Sequence, residues 1–430
     1  MKKRREISRR GFLAGMAGGA AAVWTSKISL AAGGGPSGKL SIGIIGVSGR
    51  AEENLKAVRG EEIVAICDID DTYLDNVAKE FPSATRYNDF RKLLDQKGID
   101  AVVVSTPDHT HAAATLRALR SGRHVYCEKP LAHTVHEARA VAKAAAQSGK
   151  ATQLGTQIHA EPNYRRVVEL VRSGAIGAVR EVHVWVGKTW SGGERPKETP
   201  PCPPHIHFDL WLGPAPERPY HPAYLPANWR RWWDFGGGTL ADMACHHMDL
   251  PQWALDLRHP VSVEAEGPPV HPETTPEWLI VHYEHPARGN QPPVVVTWYD
   301  GGKRPPLFGQ KKLPQWGDGV LFVGDKGLLL SDYGRHKLLP ESDFAGFNHP
   351  PKTIPDSPGH HEEWIRAAKT GSPTLCNFDY GGALTEMALL GNVAFRTGKK
   401  IRWDAEKLEC TGCPDASKFL RSQPRKGWEI

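Results

Sequence analysis

Residues 39–54, KLSIGIIGVSGRAEEN, run as a short apolar strand into a turn of small residues. From there to residue 157 the hydrophobic spacing alternates between two periods. Strand-like runs at 62–68, 99–107, 123–130 and 150–157 are separated by segments at 71–81, 89–98, 111–122 and 136–149 whose apolar residues recur every three or four positions. Strands alternating with helices predict a doubly wound parallel sheet. Further on, 279–285, 293–300, 319–324 and 327–332 again look like strands, with long loops between them, and predict an open, mainly antiparallel sheet. The fold class expected is therefore α/β, with an N-terminal Rossmann domain at 39–158 and a C-terminal α/β domain at 159–430. The face of the second sheet would be a natural surface for a homodimer or homotetramer.

The first turn carries chemistry. A dinucleotide fingerprint, G-x-G-x-x-G, uses its glycines for the turn, for close approach to the pyrophosphate and for helix packing. Here those positions hold Gly46, Ser48 and Ala51, with Gly49 between. Asp68 follows Gly46 by 22 residues, near the offset of the carboxylate that holds a ribose hydroxyl. With Ile69 and Asp70 after it and no arginine to receive a 2′-phosphate, NAD is expected rather than NADP. Ligands of open α/β sheets bind at the carboxyl ends of the strands, which points Glu128 and Lys129 of CEKPLA at the cofactor crevice.

The chain has 430 residues, 40% of them hydrophobic, enough for a large core. Its formal charge of +6 lies wholly in residues 1–32, so the remainder lacks the basic surplus of a nucleic-acid binder. Residues 1–38 read as a basic region, a Gly/Ala-rich uncharged stretch and a linker, too short and too weakly apolar for a spanning helix. SRRGFL, residues 8–13, resembles a twin-arginine export signal. That resemblance implies passage in the folded state through the export machinery, a location outside the cytoplasm, and a cofactor loaded beforehand and tightly retained.

STPDHTH at 105–111, EKP at 128–130 and GGGTLADMACHHMD at 236–249 resemble the Gfo/Idh/MocA oxidoreductases, the family of glucose-fructose oxidoreductase and inositol dehydrogenase. DLWLGPAP, NWRRWWDFGGG and NFDYGGALTEMALLGNVAFRTGK extend the likeness across most of residues 39–430. Ser48 and Ala51 depart from the family's loop. The resemblance implies hydride transfer between NAD and a hydroxyl or carbonyl of a sugar, sugar derivative or cyclitol, with Lys129, Asp242 and His246 as the catalytic set. Cofactor contacts are expected from Gly46, Ser48, Gly49, Arg50, Asp68, Ser105, Thr106, Pro107, His111, Glu128 and Lys129.

Residue chemistry supports these roles. Thr239 to Leu255 has helical spacing, and Asp242 and His246 at i, i+4 share a face, so the carboxylate is expected to orient the imidazole. A histidine near neutrality can take a hydroxyl proton, and Lys129 can steady the alkoxide. The Pro- and Trp-rich stretch 189–233 is either scaffold or substrate wall. His159, Trp190, Tyr220, Arg230, Trp232, His247 and His360 are the substrate candidates. The histidine doublets lack a closed four-ligand spacing, so no metal is expected. Cys410 and Cys413 form either an oxidised staple or two inert thiols. Two other functions fit the same residues: an NAD-dependent glycoside cleaver that oxidises a ring hydroxyl transiently, and a non-catalytic sugar or dinucleotide sensor.

Overall fold

The structure, a computed structural model, describes residues 38–310 and 313–429. The leader at 1–32 and its export motif, with residues 33–37 of the linker, lie outside the described residues.

Six strands, β1 (Ser41–Ile45), β2 (Glu62–Cys67), β3 (Thr85–Tyr87), β4 (Ala101–Val104), β5 (His124–Cys127) and β6 (Thr152–Leu154), form one sheet in the order β3-β2-β1-β4-β5-β6. All five pairings are parallel. This is the Rossmann order, with its reversal between β1 and β4, where a crevice opens at the strand ends. Runs such as Ala101–Val104, buried at every position, are what a sheet covered on both faces requires. The three-residue β3 has no buried position, so it carries no apolar signature in the sequence.

Nine further strands build the second sheet. They are β7 (Val179–Trp185), β8 (Ser262–Glu266), β9 (Ile280–His285), β10 (Val294–Tyr299), β11 (Gly319–Gly324), β12 (Gly327–Ser331), β13 (His336–Leu339), β14 (Ile401–Asp404) and β15 (Glu409–Thr411). Their order is β13-β12-β11-β7-β10-β9-β8-β14-β15, antiparallel except where β7 and β10 run together.

The expected boundary at 158/159 is crossed by the chain. Helix His360–Thr370 returns to the parallel sheet, burying Trp364 and Ile365 with Ile42, Ile44, Ile66 and Tyr126. Helix Phe378–Thr397 packs against helix Val135–Ser148. Residues 360–397 thus complete the Rossmann half; a fully buried Trp364 cut to alanine would cost about 3–5 kcal/mol.

The helix expected at 239–255 is two helices, Gly238–His247 and Asp249–Ala254. Pro251 has no N–H to offer the His247 carbonyl, so one continuous hydrogen-bond ladder cannot pass. Cys410 and Cys413 are buried free thiols. Among the described residues no group of three or more His, Cys, Asp or Glu side chains is arranged to hold a metal ion, and no helix is long and apolar enough to cross a membrane.

Candidate active site

A cavity of about 820 Å³ opens at the carboxyl ends of β1, β2, β4 and β5. Its floor is the turn after β1. Gly46 has φ +86°, and a Cβ there would sit 2.7 Å from the Ser105 carbonyl oxygen, so no other residue fits without moving the backbone. Gly49, at φ +63°, caps helix Arg50–Val58, and a Cβ there would meet nothing within 4 Å. Ala51, in place of the third fingerprint glycine, is fully buried without disturbing the turn. Ser48 lines the cavity. A floor open over Gly49 and a helix starting beside it fit a pyrophosphate.

Asp68 stands at the end of β2. Its Oδ2 accepts the Val47 N–H and its Oδ1 the Asp70 N–H. Burial raises its pKa to about 6 against those two donors. Each oxygen keeps a lone pair for a ribose hydroxyl. Asp70 and Asp89 line the same end, three carboxyls that disfavour a 2′-phosphate.

Glu128 ties the crevice together. Its Oε1 accepts from Arg50 Nε at 3.1 Å and from Asn54 Nδ2 at 3.0 Å, and Asn54 also donates to Ser105 Oγ. A Cβ on Gly155 would lie 2.7 Å from the Glu128 carboxyl, so the neighbouring strand end must be glycine for this side chain to fit. Asn54 carries no motif signal; its position about one turn into helix Arg50–Val58 becomes meaningful only when β5 lies alongside. His111 lines the cavity, but its two ring nitrogens face the Thr106 and Pro130 carbonyls at 2.7 Å each. It braces the two turns that hold the crevice. Ser105, Thr106 and Pro107 line the wall between them.

Opposite stands a charged cluster. Lys129 Nζ donates to Asp242 Oδ1 at 2.9 Å and to the Asp242 carbonyl at 2.7 Å. Arg230 Nε donates to Oδ1 at 3.0 Å, while Lys188 Nζ and Trp190 Nε1 donate to Oδ2 at 2.9 and 2.8 Å. Removing a lone carboxylate from water costs several kcal/mol, so a buried one is kept charged only by partners. Burial opposes ionisation of Asp242, and Lys129, Arg230 and Lys188 outweigh it, leaving its pKa well below the usual range. Burial likewise works against the ammonium of Lys129, but Asp242 prevails and the pKa is raised.

The expected Asp242–His246 hydrogen bond is not formed. Both carboxylate oxygens are taken by cations and an indole N–H, and charge-assisted donors are the stronger partners. His246 lines the cavity with Nδ1 buried and unpartnered. Burial, with the nearby charge of Lys129, holds its pKa well below the usual value, so it is neutral.

Of the substrate candidates, Tyr220 and Arg230 line the cavity. Trp190 reaches it through Asp242 and holds Thr239 Oγ1 with its main-chain N–H. Four others stand apart. His159 Nδ1 lies 3.0 Å from both oxygens of Asp249, and its ring stacks on Trp253 at 3.9 Å. Trp232 packs with Trp211, Tyr224 and Phe235. His247 stacks on Tyr333, whose hydroxyl is 2.8 Å from its Nε2. His360 sits against the Leu154 carbonyl behind the sheet. Each has a polar atom engaged within the fold, His159 through Nδ1, His247 and His360 through Nε2 and Trp232 through Nε1, which proximity in sequence to a motif does not reveal.

Residues not singled out in the sequence complete the site. Lys188 follows the end of β7, and Gln157 and Tyr333 line the wall. Asp108, beside Lys129 and Arg230, has a pKa raised by burial to about 7. Over the Asp68 end lie two distant segments. Ile206 bridges to Asp70, with Asp71 donating to the His205 carbonyl and His207 to that of Ile69. Trp428 lines the cavity with Phe90 and carries Arg91 over its ring at 4.0 Å.

Comparison with known proteins agrees with this geometry. The Gfo/Idh/MocA description "Oxidoreductase family, NAD-binding Rossmann fold" matches residues 40–156, and "Oxidoreductase family, C-terminal alpha/beta domain" matches residues 163–291. Inositol 2-dehydrogenase of Rubrobacter xylanophilus is 36% identical over 149 residues, 34% of this chain and 43% of that protein. The 1,5-anhydro-D-fructose reductase of Ensifer adhaerens is 28% identical over 242 residues, 52% of this chain and 62% of the relative. The alignments thus span about half the length of such curated relatives. Among solved structures, the WlbA dehydrogenase of Bordetella pertussis in complex with NADH and UDP-GlcNAcA superposes over 85% of this chain and 99% of its own, with a TM-score of 0.60 at 20% identity. Levoglucosan dehydrogenase in complex with NADH does so over 85% and 99%, with a TM-score of 0.57 at 16% identity. With the β1 turn, Asp68 and the Lys129–Asp242 pair placed as they are, the chain belongs to the Gfo/Idh/MocA oxidoreductase family and carries its NAD-binding Rossmann fold at residues 40–156.

Proposed function

We propose that this protein oxidises or reduces a CH–OH group of a sugar, sugar derivative or cyclitol with NAD. The observation that carries the proposal is the ammonium of Lys129, anchored by buried Asp242 in the cavity that the β1 turn and Asp68 also line. NAD bound over Gly46 and Gly49 would supply a hydride acceptor or donor. The chain's residues handle the proton. Lys129 stays charged and offers N–H donors to a substrate oxygen, favouring its alkoxide character. His246 is neutral and so in the form that takes the hydroxyl proton, against the burial and the Lys129 charge that disfavour its imidazolium. Asp242 positions Lys129, Lys188 and Arg230 around one point, so a polyhydroxylated substrate meets several donors in fixed geometry. The inositol 2-dehydrogenase and 1,5-anhydro-D-fructose reductase relatives favour this substrate class.

Retention of the cofactor, export by the leader and assembly into a homo-oligomer belong to the same proposal. Retention is supported by Ile206 and Trp428, which cover the Asp68 end from two distant parts of the chain. The test is absorbance at the NADH band with myo-inositol, aldoses and their glycosides, for the unmodified protein and Lys129→Met. Substrate-dependent NADH formation lost in the variant supports the dehydrogenase. Release of aglycone without net NADH would replace it by the glycoside cleaver, and binding without turnover by the sensor.

A further inference from the structure

A second and larger cavity, of about 1320 Å³, is lined by His109 of helix Asp108–Arg120, whose Asp108, Thr110 and His111 line the first, and the proposed reaction does not use it. Helix Phe378–Thr397 forms one wall and the segment 407–423 another. Two side chains one helical turn apart face it. Arg396 lies with its guanidinium 4.7 Å from the Trp233 ring and 4.2 Å from the Phe419 ring. It makes no hydrogen bond or ion pair with any described residue. Burial lowers its pKa to about 10, so it is charged at neutral pH. A guanidinium covered on its faces by aromatic rings has its N–H edges left, and those edges match a carboxylate or phosphate.

The neighbouring carboxylates are already engaged. Asp234 accepts from Arg195 Nη2 and Arg218 Nε, both at 2.9 Å. Glu137 accepts from the Thr134 N–H and from Ser422 Oγ. Glu409 lies 3.8 Å from Lys407. Lys418, 4.9 Å from the Phe419 ring, is a second cation without a carboxylate partner among the described residues. The cavity therefore has unspent positive charge.

Asn392 supplies an independent sign of a ligand. It is 7% exposed, its Nδ2 donates to the Gly237 carbonyl at 2.9 Å, and its Oδ1 is buried with no partner. A buried acceptor without a donor costs about 1–3 kcal/mol, so the site gains if the amide turns its Oδ1 toward a ligand hydroxyl in the cavity. We infer that this cavity is a second ligand site, which takes a small polyhydroxylated anion with its acid group on the Arg396 edge and a hydroxyl on Asn392 Oδ1. A sugar acid and a sugar phosphate share that chemistry. Such a ligand would rest against Gly237, at the start of the helix that carries Asp242 and His246.

The experiment is titration calorimetry on the full-length, NAD-loaded protein with D-gluconate and D-glucose 6-phosphate, and with D-glucose as the uncharged control. At least one anion should bind where glucose does not. Arg396→Met should weaken it by at least about tenfold, the weight of a charge-assisted pair, while Arg396→Lys keeps part of the affinity and Lys129→Met all of it. The tighter anion identifies the acid group. No binding by either anion, affinity unchanged in Arg396→Met, or affinity lost in Lys129→Met instead overturns the inference. Cofactor content checks that each variant folds. Soaking crystals of the unmodified protein in both anions answers the same question without a variant: density for the acid group in the plane of the Arg396 guanidinium supports the site, and an empty cavity at saturating anion refutes it.

Discussion

Lys129 holds Asp242 twice, through the carboxylate at 2.9 Å and through the main-chain carbonyl at 2.7 Å, so one ammonium joins the end of β5 to the helix Gly238–His247. In the proposed reaction, loss of that ammonium removes a donor to the substrate oxygen, and it leaves Asp242 with Lys188, Arg230 and Trp190. Lys129→Met should lower turnover by about 10²–10³-fold, in the range of losing one electrostatic donor. NAD binding, measured separately by fluorescence, should be nearly unchanged.

Asp242 also sets the pH range. Among the influences on Lys129 it is the main one that raises the pKa, against burial. In Asp242→Asn that support is gone and burial and Arg230 remain, opposed only by the smaller influence of Glu128, so the Lys129 pKa should fall. If loss of the Lys129 proton sets the basic limb of the pH–rate profile, as the proposed reaction requires, that limb should move to lower pH. A limb that stays in place would remove Lys129 from the ionisations that govern turnover.

Asp108 makes stability depend on pH in the opposite sense to a salt-bridged carboxylate. Its folded pKa is about 7 against an ordinary value of 3.8, because burial disfavours the charge. The folded state binds the proton more tightly, so the stabilisation is complete below about pH 4 and is lost as pH rises through 7. Buried histidines give a slope of the other sign, so the difference between proteins is the useful quantity. Urea denaturation from pH 4 to 8 should show Asp108→Asn gaining relative stability as the pH rises across that window.

Three carboxyls, Asp68, Asp70 and Asp89, line the ribose end of the crevice. NAD should bind more tightly than NADP, and Asp68→Ala should narrow the gap, as read from the two dissociation constants. An unmodified protein that prefers NADP contradicts this arrangement.

Trp428 is pinned by Phe90 and by Arg91 at the mouth of that same end. The purified protein should carry nicotinamide cofactor through gel filtration, and Trp428→Ala should release it faster. The measurement is the cofactor remaining after timed dilution. Protein that is empty as isolated, and active only in excess NAD, would disprove retention.

Much of the parallel half was legible in the chain itself, because its information is local. Buried strands such as Ala101–Val104 are continuous apolar runs, Gly46 marks a backbone that admits no side chain, and Asp68 sits at a fixed distance along one βα unit. The exposed β3 and the break before Pro251 were less visible: the one has no apolar face, and the other interrupts an otherwise helical spacing. Lys129 and Asp242 could be named from their motifs, and the cavity does bring them together.

What the sequence by itself determined, then, is the order of elements and the cofactor crevice at their strand ends. Only the tertiary structure decided who partners whom. Helical spacing places Asp242 and His246 on one face, yet the carboxylate turns to Lys129, Lys188, Arg230 and Trp190, which arrive from other elements and bond it more strongly than a neutral imidazole. For the same reason His159, His247 and His360 each spend a ring nitrogen on partners inside the fold, while Asn392 and Arg396, one turn apart on helix Phe378–Thr397, face a second cavity. A side chain's chemistry is set by the charges and donors that packing brings within about 3 Å, and those contacts span distances along the chain that no local pattern encodes.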